Sequence, residues 1–247
     1  MKSRVLTVVL LAIVAPVRAT IVKEIGTLKA LGRRPIANVQ VVDSVHTCGP
    51  WARTLSNLGV IDRNQGRVEE ARKEFGEALQ IYRELAEKKP ESYRPDLAAT
   101  LNNLGVFDRN QGRVEEARKE YDEALQIRRE LVEKSPKTYR PDVAATLNNL
   151  GALDNEQARM EEAHQELAEA LQIYRELAEK NPEGYRPYVA TTLSNLAILD
   201  RGQSQVEKAR KEYAETMQIY EGLAKQNPER FSPDVERVKK LLAELPK

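Results

Sequence analysis

Few residues of this chain have the types and spacing that chemistry demands. Its two histidines, His46 and His164, stand far apart, and its one cysteine, Cys48, lies two residues from the first. A thiol nucleophile needs an orienting third group and a pocket, and the sequence offers neither. A zinc site needs four convergent ligands, more than one cysteine and two separated histidines supply. A single cysteine also excludes a disulfide within the chain, so stability must come from packing. Glu69-Glu70 and its repeats are neighbours on the outer side of a helix and cannot converge as acid and base. No phosphate-cradling glycine loop or serine elbow is present. His164 takes the place that Arg72, Arg118 and Arg210 hold elsewhere. The expectation is a protein that is not an enzyme, with no catalytic residue, no metal and no cofactor.

What does recur is polar and regularly spaced. The run Thr54-Leu55-Ser56-Asn57-Leu58-Gly59 returns at Thr100 to Gly105, Thr146 to Gly151 and Thr192 to Ala197, each 46 residues beyond the last. Asn57, Asn103, Asn149 and Asn195 therefore form one series, and Asp62, Asp108, Asp154 and Asp200 another. Arg67, Arg113 and Arg159 follow the first three aspartates by five residues, with Gln205 in the fourth place. An acid near a helix C-terminus is opposed by the dipole and needs a partner, so a structural ion pair across the turn is expected.

These residues need elements to position them. A fixed period of this size means stacked units, none able to bury its apolar face alone. Charged residues make up 31% of the chain and aromatics 5%, a mixture that with helical periodicity indicates helices side by side. In the second copy Pro95-Asp96 opens a helix carrying Leu97, Leu101 and Leu104. It stops at Asn110-Gln111-Gly112, a glycine turn signal. A second helix from Arg113 to about Lys134 presents Val114, Ala117, Tyr121, Ala124, Leu125, Ile127 and Leu131 on one face. Ala71, Ala117, Ala163 and Ala209 recur, as do Pro95, Pro141, Pro187 and Pro233. Tyr93, Tyr139, Tyr185 and Phe231 are expected to fold an aromatic over the gap between pairs. A last helix from Pro233, with Val235, Val238, Leu241, Leu242 and Leu245 on one side, reads as a solvating cap.

Leu104-Gly105, Ala117, Tyr121 and Ala124 stand at offsets that resemble the tetratricopeptide repeat, in the longer form similar to kinesin light chains. The usual aromatic late in the first helix is replaced by Asp62, Asp108, Asp154 and Asp200. The fold expected is all-α, a right-handed solenoid of helix-turn-helix units with a C-terminal capping helix. Four units are expected at 49–94, 95–140, 141–186 and 187–232, and the cap at 233–247. The resemblance implies that first helices line a concave face holding an extended peptide or partner segment. It places Asn57, Asn103, Asn149 and Asn195 in that groove, with Asn102 and Asn148 one residue earlier and Arg63, Arg109 and Arg201 six residues on. An Asn side chain both donates and accepts, so a row of them can pair with a peptide backbone. Arginines beside it favour acidic side chains or a terminal carboxylate. The resemblance also implies that the carboxylate-clamp mode is absent, because Ser56, Asn102, Asn148 and Ser194 stand where its lysine would be.

The N-terminal part differs. Met1-Lys2-Ser3-Arg4 is basic, Val5 to Val17 is apolar, and Val17 and Ala19 suit a signal peptidase, so residues 1–19 are expected to be a signal peptide. The run is shorter than the roughly 20 residues that span a bilayer, and an uncleaved anchor is the alternative. Cleavage removes three basic residues and no acidic one, taking the net charge from +1 to −2. No clustered basic face invites nucleic acid, and no stable membrane insertion of the mature chain is expected. Residues 20–48, with Ile21-Val22 and Val39-Gln40-Val41-Val42 around Gly26 and Gly32 to Pro35, suggest a short hairpin or linker. The stretch from Gly26 to Val41 resembles the opening hairpin of carboxypeptidase-regulatory-like domains. The functional expectation is an exported scaffold, periplasmic or secreted, whose partner is a protein or peptide. The alternative is an assembly element stacking end to end or tethered to a membrane, and the oligomeric state is open.

Overall fold

The computed structural model describes residues 10–11, 41–42 and 45–246. The signal-peptide reading of 1–19 and the hairpin reading of 20–48 otherwise lie outside the described residues. Leu10–Leu11 (β1) pairs in parallel with Val41–Val42 (β2), Leu10 opposite Val41 and Leu11 opposite Val42. Among the described residues nine helices follow: α1 Val45–Asn64, α2 Val68–Lys88, α3 Pro90–Asn110, α4 Val114–Lys134, α5 Pro136–Glu156, α6 Met160–Lys180, α7 Pro182–Gly202, α8 Val206–Gln226 and α9 Pro228–Ala243. The described residues are all-α apart from the two short strands, built of helix-turn-helix units closed by a C-terminal helix.

Two kinds of joint alternate. Within a pair, three residues connect the helices, and a backbone bond closes each turn: Arg67, Arg113, Arg159 and Gln205 N–H groups donate to the Asp62, Asp108, Asp154 and Asp200 carbonyls at 2.8–2.9 Å. That six-to-one bond requires a left-handed residue just past the helix end. Gly66 and Gly112 adopt it at φ 73°, and Ala158 and Ser204 adopt it without being glycine, at φ 56° and 61°. Between pairs a single residue suffices: Lys89, Ser135, Asn181 or Asn227, each followed by a proline that opens the next helix. Asn181 and Asn227 accept hydrogen bonds from Gly184 and Arg230 N–H groups, capping α7 and α9.

Each first helix thus starts five residues earlier than the sequence pattern suggests, with Pro95, Pro141, Pro187 and Pro233 inside it. Pro90, Pro136, Pro182 and Pro228 supply the preset first-position φ. The internal proline forfeits one backbone bond and crowds the carbonyl four residues back, a cost of about 3 kcal/mol. The added turn and a half carries the recurring aromatic onto the preceding second helix, where burying a ring contributes about 2 kcal/mol. Tyr82 meets Tyr93 at 6.5 Å and Tyr220 meets Phe231 at 6.4 Å between ring centroids.

The chain divides into two compact units, residues 1–107 and 108–247. In the first, Ala71 and Phe75 of α2 form a core with Leu104 and Phe107 of α3, the two phenyl rings 5.9 Å apart. A Cβ on Gly59 would stand 3.0 Å from the Phe75 ring, so glycine admits that ring against α1. In the second, α4 to α7 enclose a cluster that includes Val143, Leu147, Leu167, Tyr174, Leu193, Leu196 and Leu199. A Cβ on Gly151 would stand 2.7 Å from Leu167 and 3.1 Å from the Ala163 carbonyl, so α5 and α6 approach as closely as the small residues allow. The last core joins Tyr213, Tyr220 and Leu223 of α8 to Phe231, Val238 and Leu245.

One contact takes three forms across the four junctions between pairs. Burial and the nearby Asp96 carboxylate push the Tyr82 phenol up, and Tyr220 is raised by burial with Asp234 nearby. At the same place α4 has Arg128, buried, donating to the Asp142 carbonyl at 2.9 Å and to Thr146 Oγ1. At α6 and α7 the pair is Tyr174 stacked on Tyr188, centroids 5.2 Å apart.

Candidate functional site

The polar series of the first helices is the place to look for binding. In the first unit Asn57 is exposed and Asn103 half-buried, and the amides of both make no hydrogen bond among the described residues. Arg63 donates to neutral Asn64 Oδ1 from Nε and Nη2, at 3.3 and 3.1 Å, and has no carboxylate partner among the described residues. Ser56 is buried and lies 3.4 Å from Thr100 Oγ1. Asn102 is half-buried and engaged within the protein.

The second unit treats its series differently. Asn195 Nδ2 donates to Asn148 Oδ1 at 3.0 Å, tying α7 to α5. Asn149 is half-buried and engaged. Arg109 grips Glu156 with Nε on Oε2 at 3.0 Å and Nη2 on Oε1 at 2.5 Å, a bond that raises its pKa further. Arg201 lies 3.8 Å from Glu244. Two of the three proposed groove arginines are therefore already neutralised by a carboxylate one copy later. Glu156 was not readable as that partner, because Asn64, Asn110 and Gly202 stand at its position in the other copies.

The aspartate series is structural. Asp62, Asp108, Asp154 and Asp200 are all buried. Asp62 pairs with Arg67 and Asp108 with Arg113, the partners expected across the turn. Asp154 does not take Arg159. Arg118 of α4 reaches it instead, because the packing of α4 against α5 brings that guanidinium to the buried carboxylate. Asp200 takes Lys208 at 2.9 Å.

Beside Asp62 and Asp200 stand Glu74 and Glu212 of the second helices, and at these glutamates and at Glu166 titration is displaced. Burial pushes Glu166 up to about 7 despite Arg118. Burial and the adjoining Asp200 carboxylate push Glu212 up to about 8, which leaves it protonated and able to donate to Asp200. Glu74 is raised, by burial and then by Asp62. The sequence signal was available, since Glu74, Glu120, Glu166 and Glu212 keep the period. His164 is half-buried rather than a free surface residue, with Nε2 2.9 Å from Lys208 Nζ. His164, Lys208, Asp200 and Glu212 form one cluster of titratable side chains. Lys208 is spent on Asp200 and His164, and no hydroxyl or thiol nucleophile adjoins it. Among the described residues no three His, Cys, Asp or Glu side chains are arranged to hold a metal ion, and no helix is long and apolar enough to cross a membrane.

Helix pairs at a constant period, with a small residue where paired helices meet and polar residues along the first helices, define a helical-repeat scaffold. A tetratricopeptide-repeat sequence profile matches residues 96–176 and 142–222, and a second matches 51–90. The chain belongs to the tetratricopeptide-repeat family, a family of protein-interaction scaffolds. Among solved structures it is similar to BtubC (BKLC) from P. vanneervenii, with a TM-score of 0.64 at 20% identity over 93% of this chain and 82% of that one. It is also similar to the apo form of RapI, with a TM-score of 0.58 at 15% identity, and there it spans 92% of its own length and 60% of that chain. These likenesses show the fold. A comparison with curated protein sequences found no match.

Proposed function

We propose that the chain is a non-enzymatic scaffold that holds an extended peptide or partner segment against its first helices. The observation that carries this reading is in the first unit: Asn57 and Asn103 keep their amides unspent, and Arg63 keeps its charge without a carboxylate. An amide with a free donor and acceptor suits a peptide backbone, and a free guanidinium suits a carboxylate. Binding is therefore weighted toward Asn57, Asn103 and Arg63. Asn102 in the first unit is already engaged, and in the second unit Asn148, Asn149 and Asn195, with Arg109 and Arg201, form a more self-satisfied stretch of the same kind. The basic, apolar and small-residue order of 1–19 supports export to the periplasm or the exterior. Crosslinking capture from the extracytoplasmic space tests the reading. Partners recovered by the native chain should be lost by Asn57→Ala/Asn103→Ala with helicity unchanged by circular dichroism. Undiminished capture by that variant sinks the assigned surface.

A further inference from the structure

Counted along the 46-residue period, His164 stands where Arg118 does, and Asp200 where Asp154 does. Arg118 of α4 neutralises Asp154 of α5, so that ion pair ties one copy to the next. His164 of α6 has the same relation to Asp200 of α7, but an ammonium lies between them. Lys208 Nζ of α8 is 2.9 Å from His164 Nε2 and 2.9 Å from Asp200 Oδ2. Glu70, Glu116 and Glu162 hold the Lys208 position in the other copies. At this last joint, then, two positions differ together: the arginine is a histidine, and the glutamate is a lysine.

An ammonium has no lone pair, so Lys208 donates and Nε2 accepts, which requires a neutral imidazole with its proton on Nδ1. Histidine is the side chain that changes charge between about pH 5 and pH 8. A second proton, taken from solvent onto Nε2, turns that acceptor into a donor. Two cations then face each other beside one carboxylate that has no solvent exposure. No other neighbour relieves them. Glu212 of α8 is pushed up to about 8 by burial and by Asp200, so it stays protonated through this range. On α6 the residues one turn from His164 are Glu161, Leu167 and Ala168. Arg175, Glu176 and Glu179 lie about three turns or more along the helix, on the groove of about 420 Å³ that His164, Lys208 and Glu212 also line. Lys208 is the partner free to leave, since its side chain is 43% exposed.

We propose that His164 is a pH-operated switch at this joint: its imidazolium takes Asp200 as Arg118 takes Asp154, and Lys208 is released into the groove between α6 and α8. Above the transition the acid of α7 is held by α8, its partner within the copy. Below it, the acid is held by α6 of the preceding copy. Acidification thereby exchanges a bond within a copy for a bond between copies.

NMR of the imidazole and lysine ammonium groups of the full chain, followed from pH 8 to pH 5, tests the exchange. The chain has two histidines, so His46→Gln assigns the His164 signal, and loss of a signal in Lys208→Ala assigns the Lys208 ammonium. The Lys208 signal should shift toward that of a water-exchanging ammonium, with the same midpoint as protonation of His164. His164→Arg, which puts at this place the residue that three copies carry, should show Lys208 released already at pH 8. Lys208→Ala should tighten proton binding by His164 about tenfold, because a like charge is gone and the carboxylate is open to it. An imidazole that titrates while the Lys208 signal stays put overturns the proposal. So does an imidazole that remains neutral down to pH 5. A Lys208 shift that persists unchanged in His164→Gln assigns the release to another group and overturns it as well.

Discussion

At residues 62–67 and 108–113 the turn between paired helices carries glycine at its left-handed position and an arginine five residues past its aspartate. At 154–159 and 200–205 the same backbone turn carries Ala158 or Ser204, and its aspartate draws a cation from farther away. The closing hydrogen bond is nearly identical in all four. The comparison shows which part of the repeat is essential: a buried acid must be neutralised and its carbonyl must be bonded, but the source of the positive charge is free to change. In the early turns the charge is local and near solvent. In the later ones it comes from farther off, from Arg118 on the preceding second helix or from Lys208 eight residues on, although Lys208 is about as exposed as Arg67.

That contrast is open to measurement, and the largest effect belongs to the most buried pair. Arg118→Ala strands Asp154, which has no solvent exposure, and should cost about 3 kcal/mol of unfolding free energy. Arg67→Ala should cost about 1 kcal/mol or less, because Arg67 is itself nearly half exposed. Urea denaturation of the two variants compares them directly, and equal losses would erase the distinction.

Next comes pH. Glu166 faces Arg118, Asp122 and Arg129 from α4 and Glu162 on its own helix; Glu212 faces Asp200 from α7 and Lys208 and Glu215 on its own. Their folded values of about 7 and about 8 lie above the ordinary 4.5. Their contribution is thus fully present below 4.5 and is lost as pH rises through 7 and 8. The melting temperature should fall between pH 5 and pH 8.5. Glu212→Gln should flatten that fall more than Glu74→Gln, whose carboxyl lies nearer solvent. Identical pH profiles for the two variants would contradict the assignment.

The smallest effects are conformational. Gly112→Ala should cost about 1 kcal/mol, since an L side chain is disfavoured at positive φ. Ala158→Gly should gain roughly 0.5 kcal/mol by relieving the same strain. Thermal melts of the pair show whether opposite signs appear at equivalent turns.

The sequence was informative wherever the determinant was local. The period, the helix stops at glycine and the Asp62–Arg67 and Asp108–Arg113 pairs all depend on residues within one turn of each other. The Asp154–Arg118 pair was hidden because its members lie on different helices and meet only once α4 packs on α5. Asn148 with Asn195 and Arg109 with Glu156 were hidden for the same reason, and these two contacts decide which candidate binding residues are already occupied. The helix starts were misplaced because Pro95 and its repeats read as openings, whereas Pro90 and its repeats open the helices and ring contacts hold the added turn.

The contacts between pairs carry a last consequence. Arg128 meets Asp142, Tyr174 meets Tyr188, and Tyr82 and Tyr220 meet aspartates, so the two sides of each junction are matched like a lock and its own key. Copies that look interchangeable in sequence are therefore told apart at the two middle joints. Grafting α4 in front of α7 would set a buried guanidinium against Tyr188, without the Asp142 carboxylate beside it in its native setting. The two middle joints each accept only their own partner, and a shuffled array would have to rewrite both sides of such a joint at once.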